Sequence, residues 1–201
     1  MITHDMIRPT GEGNEEGRRL KDFIKSEFSE LTEISDEILR EQTVEALILA
    51  AEKGKWTEKT IQKVPVTINW ETSCTLLEHI HAVARMCMAG YPLVAGFYKQ
   101  NGVAFRYDYV VAGALLHDIG KFLEFTMEKG QVIHGEAAFM RHPFLGAEIA
   151  EKVGLPQELV YLIAMHSFEG DKSQHTAESD YVRRMDMDTF KSTVFGLEKR
   201  K

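Results

Sequence analysis

The stretch YDYVVAGALLHDIGK, Tyr107 to Lys121, decides how the rest of the chain reads. Within it, Tyr109 to Leu116 is the longest uninterrupted apolar run, eight residues. That is far short of the roughly 20 needed to span a bilayer, and it predicts the buried central helix of a helical core. Gly120 reads as its stop signal. His117 stands three and seven residues after Ala114 and Val110, so it shares the buried face, and Asp118 follows it at the helix end. An imidazole and a carboxylate are thereby expected where the core opens.

Working outward, the periodicity predicts an all-α domain. Before the central helix, Thr72–Ser73 offers N-cap chemistry for a helix carrying Leu76, Ile80, Val83 and Cys87 on one stripe and ending near Gly90. Residues 91–102, with Pro92, Gly96 and Asn101–Gly102, read as a loop or short helix. Further back, KVPVTINW (Lys63–Trp70) reads as an extended connector, and apolar spacing from Arg19 to Lys53 predicts two or three amphipathic helices behind a polar arm, 1–17. After the central helix, 124–141 is glycine-containing and mixed in charge, a mobile loop by expectation. Pro143 and Pro156 each read as first-turn residues opening helices 144–153 and 157–166, and a last helix is expected from Glu178 to Phe190.

Composition limits the function classes. A chain of 201 residues with 44% hydrophobic and 27% charged residues has the makings of one globular domain. The net charge of −7 argues against a long nucleic-acid partner, whose phosphates would have to be neutralised, but leaves room for a small phosphorylated substrate. No transmembrane helix is expected. The first residues lack a basic segment followed by an apolar core, so a cytoplasmic protein is expected. Cys74 and Cys87 lack CxxC spacing and read as reduced core residues.

Eight histidines are many for this length, and several fall at helix ends or on apolar faces. His79 lies on the buried stripe, whereas His81 is turned about 200° away and should be exposed. His142 precedes Pro143, where the extended preference of a pre-proline residue presents it at a cavity edge. His166 closes its helix, and Asp186 shares an apolar stripe with Val182 and Phe190, where a carboxylate is costly unless paired or coordinating. His79, His117, Asp118, His142, His166 and Asp186 therefore form a candidate set of N/O ligands. Neutral imidazole suits divalent first-row metals, and a carboxylate can bridge two ions. No cysteine joins them, which disfavours structural zinc or iron–sulfur. His4, His81, His134 and His175 read as surface residues.

These motifs resemble the HD-domain metal-dependent phosphohydrolase superfamily. The doublet lies in LLHDIGK (115–121), the first histidine in LLEHIHAV (76–83), and the late aspartate in YVRRMDMDTF (181–190). RHPFLGAEI (141–149) and AMHSFEG (164–170) resemble the histidine segments of the binuclear branches. Ser167 stands where the HD-GYP branch has a second histidine, and the GYP signature is missing, so cyclic di-nucleotide hydrolysis is not expected. The resemblance implies an all-α HD-domain helical bundle over 70–190, with an N-terminal arm and accessory helices in 1–69 and a tail in 191–201. The accessory helices could pack on the core or form a homodimer contact, and both stay open. It further implies Asp118 and Lys121 as catalytic residues. Two divalent ions (Fe, Mn, Co, Ni, Zn or Mg) would be held by His79, His117, Asp118, His142, His166 and Asp186. The substrate would be a phosphate ester or phosphodiester of a nucleotide or other small molecule. The same ligands also suit a mixed-valent di-iron oxygenase, and a degenerate HD domain could serve as a nucleotide sensor. Arg141 reads as a solvated arginine before a phosphate contact.

Overall fold

The computed structural model describes residues 15–195, so His4, most of the expected arm and the end of the tail lie outside the described residues. The helices are α1 (Glu15–Glu27), α2 (Glu37–Lys53), α3 (Leu76–Gln100), α4 (Tyr107–Leu116), α5 (Lys121–Glu124), α6 (His142–Lys152), α7 (Gln157–Met165) and α8 (Ala177–Phe195). A hairpin of β1 (Phe125–Glu128) and β2 (Gln131–His134) follows α5, and the fold is all-α apart from it. α4 occupies the centre, with every side chain from Val110 to Leu116 buried and with α2, α3, α7 and α8 packed around it. α1 and α2 add Leu20, Ile24, Leu39 and Leu47 to the same apolar core, so the N-terminal helices pack on it.

α3 departs from expectation at both ends. Its N-cap is Thr75, not Thr72–Ser73. The Thr75 hydroxyl accepts from the Glu78 amide (3.2 Å), and the Glu78 carboxylate accepts from the Thr75 amide (2.8 Å). Thr72 instead spends its hydroxyl on a local turn, accepting from Cys74 N, while Thr75 is held extended by its bridge to Pro65. At the other end α3 runs through Pro92 to Gln100 rather than stopping near Gly90. Pro92 has no N–H to donate, a cost met by Tyr91, which stacks on Phe105 (4.8 Å) and donates its hydroxyl to Phe105 O (2.7 Å). At 25 residues, α3 is also long and apolar enough, by length and composition alone, to cross a membrane. Counting uninterrupted runs missed it because histidines and Arg85 break the pattern. Here the first half of α3, through Cys87, packs into the core and carries His79 into the interior, while only 28% of the apolar window is buried.

Three smaller expectations also change. Residues 125–134 are a hairpin, not a mobile loop, because Lys129 (φ 49°) and Gly130 (φ 82°) supply the two positive φ angles of a tight turn pairing Glu128 with Gln131. Pro156 stands just before α7, as its N-cap, and α8 continues past Phe190 to Phe195. His81 is half-buried between Glu27 (3.3 Å) and Glu30 (3.0 Å), because the turn after α1 covers that face of α3. His175 is tied to Ser179 and to Gly170 O.

Candidate metal centre

Five helices deliver the six sequence-expected ligands to one place, and all six are buried. His79 comes from the first turns of α3, and His117 caps the C-terminus of α4 with Asp118 in the turn that follows. His142 opens α6, His166 caps α7, and Asp186 lies mid-way along α8. The turn holding the doublet meets the start of α6 through Gly120, where a Cβ would stand 1.9 Å from His142 O and 2.6 Å from Gly146 N. Gly120 therefore serves backbone approach, which is a different use from the stop signal read in the sequence.

The donor atoms form two groups that share Asp118. His79 Nε2, His117 Nε2, Asp118 Oδ2 and Asp186 Oδ1 make the first; Asp118 Oδ1, His142 Nε2 and His166 Nε2 make the second. In the first group His79 Nε2 lies 3.1 Å from Asp186 Oδ1 and 3.2 Å from His117 Nε2, and His117 Nε2 lies 3.4 Å from Asp118 Oδ2. In the second, Asp118 Oδ1 lies 3.2 Å from His142 Nε2 and 3.3 Å from His166 Nε2. Ligands about 2.0–2.2 Å from a common ion stand roughly 3.0–3.5 Å from one another, close to these distances, and His117 Nε2 lies slightly farther, 3.7 Å, from Asp186 Oδ1.

Tautomers give an independent test of fit. His117 Nδ1 and His166 Nδ1 each lie 2.8 Å from a backbone carbonyl, Ala114 O and Ile163 O, and His142 Nδ1 lies 2.8 Å from the Glu124 carboxylate. Those oxygens only accept, so each Nδ1 carries a proton, which leaves Nε2 as the nitrogen that presents a lone pair whenever the ring is neutral. Three imidazole lone pairs thus converge with two carboxylates in a buried site. Acceptors so arranged repel one another unless a cation lies among them, and a divalent ion suits N/O donors of this kind. His79 is held differently: its Nδ1 is buried without a hydrogen-bond partner, and its ring stands edge-on to His117 and Phe190.

Charge follows from the same geometry. Burial pushes the Asp118 carboxyl up, but the Lys121 ammonium, 2.7 Å from Oδ2, together with His117 and His166, holds it well below the usual carboxylate range. Burial drives His142 down to about 4, so its ring is neutral and ready to coordinate at neutral pH. Burial likewise lowers His79, while in His117 the same penalty is outweighed by Asp118 and Asp186, which hold it above the ordinary histidine value. Lys121 is itself buried, with its ammonium against Asp118 and 5.7 Å from the Phe190 ring centre.

Glu124 escaped the sequence reading. It accepts from both the His142 ring and the His142 backbone amide (3.1 Å), and burial there is opposed by those bonds, which hold its carboxyl below the usual range. Eighteen residues separate the pair, too far for any periodic signal. Arg141 is not simply solvated: its guanidinium stacks on Phe168 and pairs with Glu169 (2.7 Å) on the wall of the cavity. That cavity, about 220 Å³, opens over Asp118, Lys121, His142, His166 and Asp186. His134 stands at the end of β2, 3.8 Å from Glu124, and belongs to neither donor group.

Residues 76–189 match the HD domain family, a span that includes all six ligands, Lys121, Glu124 and Arg141. A curated relative, the Dihydroneopterin 2',3'-cyclic phosphate phosphodiesterase of Methanocaldococcus jannaschii, is 31% identical over 147 residues, which cover 70% of this chain and 57% of that protein. No solved structure matches. With more than half its length matched to that family and the doublet at its centre, the chain belongs to the HD domain family.

Proposed function

We propose that the chain is a metal-dependent phosphodiesterase acting on a small phosphorylated molecule, with two divalent ions shared by Asp118. The observation that carries this reading is the division of Asp118: each of its oxygens faces a different set of imidazole lone pairs. His79, His117, Asp118 and Asp186 would hold one ion, and Asp118, His142 and His166 the other. When bound, such ions supply Lewis acidity to the phosphoryl oxygens and make water acidic enough to attack at neutral pH.

The chain's own residues do the rest. Ala114 O, Ile163 O and Glu124 fix the Nε2 lone pairs of His117, His166 and His142 toward the centre, so no reorientation is needed when substrate arrives. Lys121 offsets the charge of Asp118 and puts a fixed cation on the cavity wall, where a phosphoryl group gains negative charge. The cavity is small beside the roughly 300–1,000 Å³ of pockets for drug-sized ligands, which suits one phosphate and the start of its substituent. A relative that acts on a 2',3'-cyclic phosphate supports a phosphodiester over a monoester.

The test is reconstitution. Protein stripped of metal and reloaded with Mn²⁺ is expected to hydrolyse bis-p-nitrophenyl phosphate and a nucleoside 2',3'-cyclic phosphate equally well with and without air, since hydrolysis needs no electron transfer. Inactivity with every redox-inert ion, together with oxygen consumption by iron-loaded protein, would overturn the reading in favour of an oxygenase.

A further inference from the structure

The ligands account for the floor of the cavity and leave its rim unexplained. Two aromatic rings line it while staying open to solvent: Trp70 is 42% exposed and Phe168 57%. A lone exposed ring is ordinary, but two beside a buried polar centre mark a surface kept for a ligand. Both are braced. The Trp70 indole meets Phe190 edge-on, with ring centres 6.2 Å apart, which supports the indole from α8. Phe168 carries the Arg141 guanidinium flat on its face, 3.9 Å from the ring centre.

Arg141 is held by that stack and by a charge contact with Glu169, whose carboxylate lies 2.7 Å from its Nε without hydrogen-bond geometry. Among the described residues, no partner engages its terminal nitrogens. A guanidinium neutralised by a buried carboxylate is a poor receiver of a second phosphate. It remains a rigid pair of N–H donors, suited to a neutral acceptor such as a ring carbonyl. With the phosphate end assigned to the metal centre, the rim meets whatever the phosphate is attached to.

We propose that Trp70 and Arg141 form a subsite for a planar heteroaromatic ring carried by the phosphodiester, the indole stacking on the ring and the Arg141 terminal N–H groups donating to its carbonyl or ring nitrogen. The subsite rests on the phosphodiesterase reading only for its substrate, so binding and turnover test the two separately.

Two cyclic phosphates separate ring from phosphate: guanosine 2',3'-cyclic phosphate and the ring-free glycerol 1,2-cyclic phosphate. The metal-loaded protein is expected to prefer the first in kcat/KM. Trp70→Ala and Arg141→Ala should each cut that preference about 10- to 100-fold, mostly through KM, because stacking a base is worth roughly 1–3 kcal/mol. Trp70→Phe, which keeps a ring, should restore most of it. An equal fall on both substrates, or no preference in the parent, would overturn the subsite.

Binding is read without turnover by tryptophan fluorescence. The chain has two tryptophans; Trp56 is buried against Phe122 O, so Trp70 is the exposed reporter. Guanosine 3'-monophosphate should quench it, glycerol phosphate should not, and Arg141→Ala should weaken the nucleotide's binding about tenfold. Selective quenching without hydrolysis of either cyclic phosphate would support the ring subsite while ending the phosphodiesterase reading. Absent quenching, or equal quenching by the two phosphates, would overturn the subsite.

Discussion

Asp118 and His142 differ in what their loss should do, because one belongs to both donor groups and the other to one. Asp118→Ala removes an oxygen from each group and is expected to abolish both metals and activity. His142→Ala should lower metal content from two ions to one, and loss of activity with content unchanged would instead make His142 a substrate contact. Glu124→Gln tests a subtler role. The amide can still accept from His142 but no longer strengthens the imidazole as a ligand, so affinity for the second ion should fall about 10- to 100-fold while the first is retained. Equilibrium metal titration reads this directly; a uniform loss at both sites would mean that the change acts on the fold. The contrast between these residues also shows how far side-chain chemistry could be read in advance. His79, His117 and Asp186 announce themselves because each breaks an apolar helical stripe, whereas Glu124 sits at a helix end before a hairpin, where a glutamate is unremarkable.

At the scale of elements, the centre depends on how closely α6 approaches the turn after α4. Gly120→Ala would put a methyl carbon 1.9 Å from His142 O, a backbone atom that cannot move without carrying the start of α6. The expected result is selective: His142 is displaced, the second ion is lost, and the first group, built from α3, α4 and α8, survives. Metal counting on the variant checks it, with retention of two ions refuting the idea that this approach positions His142. Helix existence was largely legible in the sequence, from the apolar stripe of α3 and from the unbroken apolar run of α4, which is buried on all sides. The ends of α3 and α8 were not. Pro92 and Gly96 are breaker residues by local chemistry, yet α3 continues because Tyr91 is anchored to Phe105, a contact made after a reversal of the chain. The hairpin was missed for a related reason: its tight turn depends on Lys129 adopting positive φ, which lysine does not advertise as asparagine would.

For the whole molecule, five helices meet at one set of ligands, so metal binding and folding must be linked. The apolar core of α1 to α4, with α7 and α8 against it, does not need the ion, and stripping the metal should leave helical circular dichroism nearly unchanged. Stability is another matter. A ligand at 100 times its dissociation constant adds about 2.7 kcal/mol, and a chain of this size gains roughly 2–4 °C in Tm per kcal/mol, so chelation should lower Tm by about 5–11 °C. The sign of the pH dependence follows from His117, whose value is raised in the metal-free protein. Its proton stabilises the metal-free fold fully below the unfolded value, about 6.5, and that stabilisation is lost as pH rises through the raised folded value. The ion needs the same nitrogen unprotonated. The Tm difference between metal-loaded and stripped protein should therefore widen as pH rises from 6 toward 8. Calorimetry of both forms at constant ionic strength measures it, and a difference that is flat or narrows with pH would show that His117 does not exchange its proton for metal.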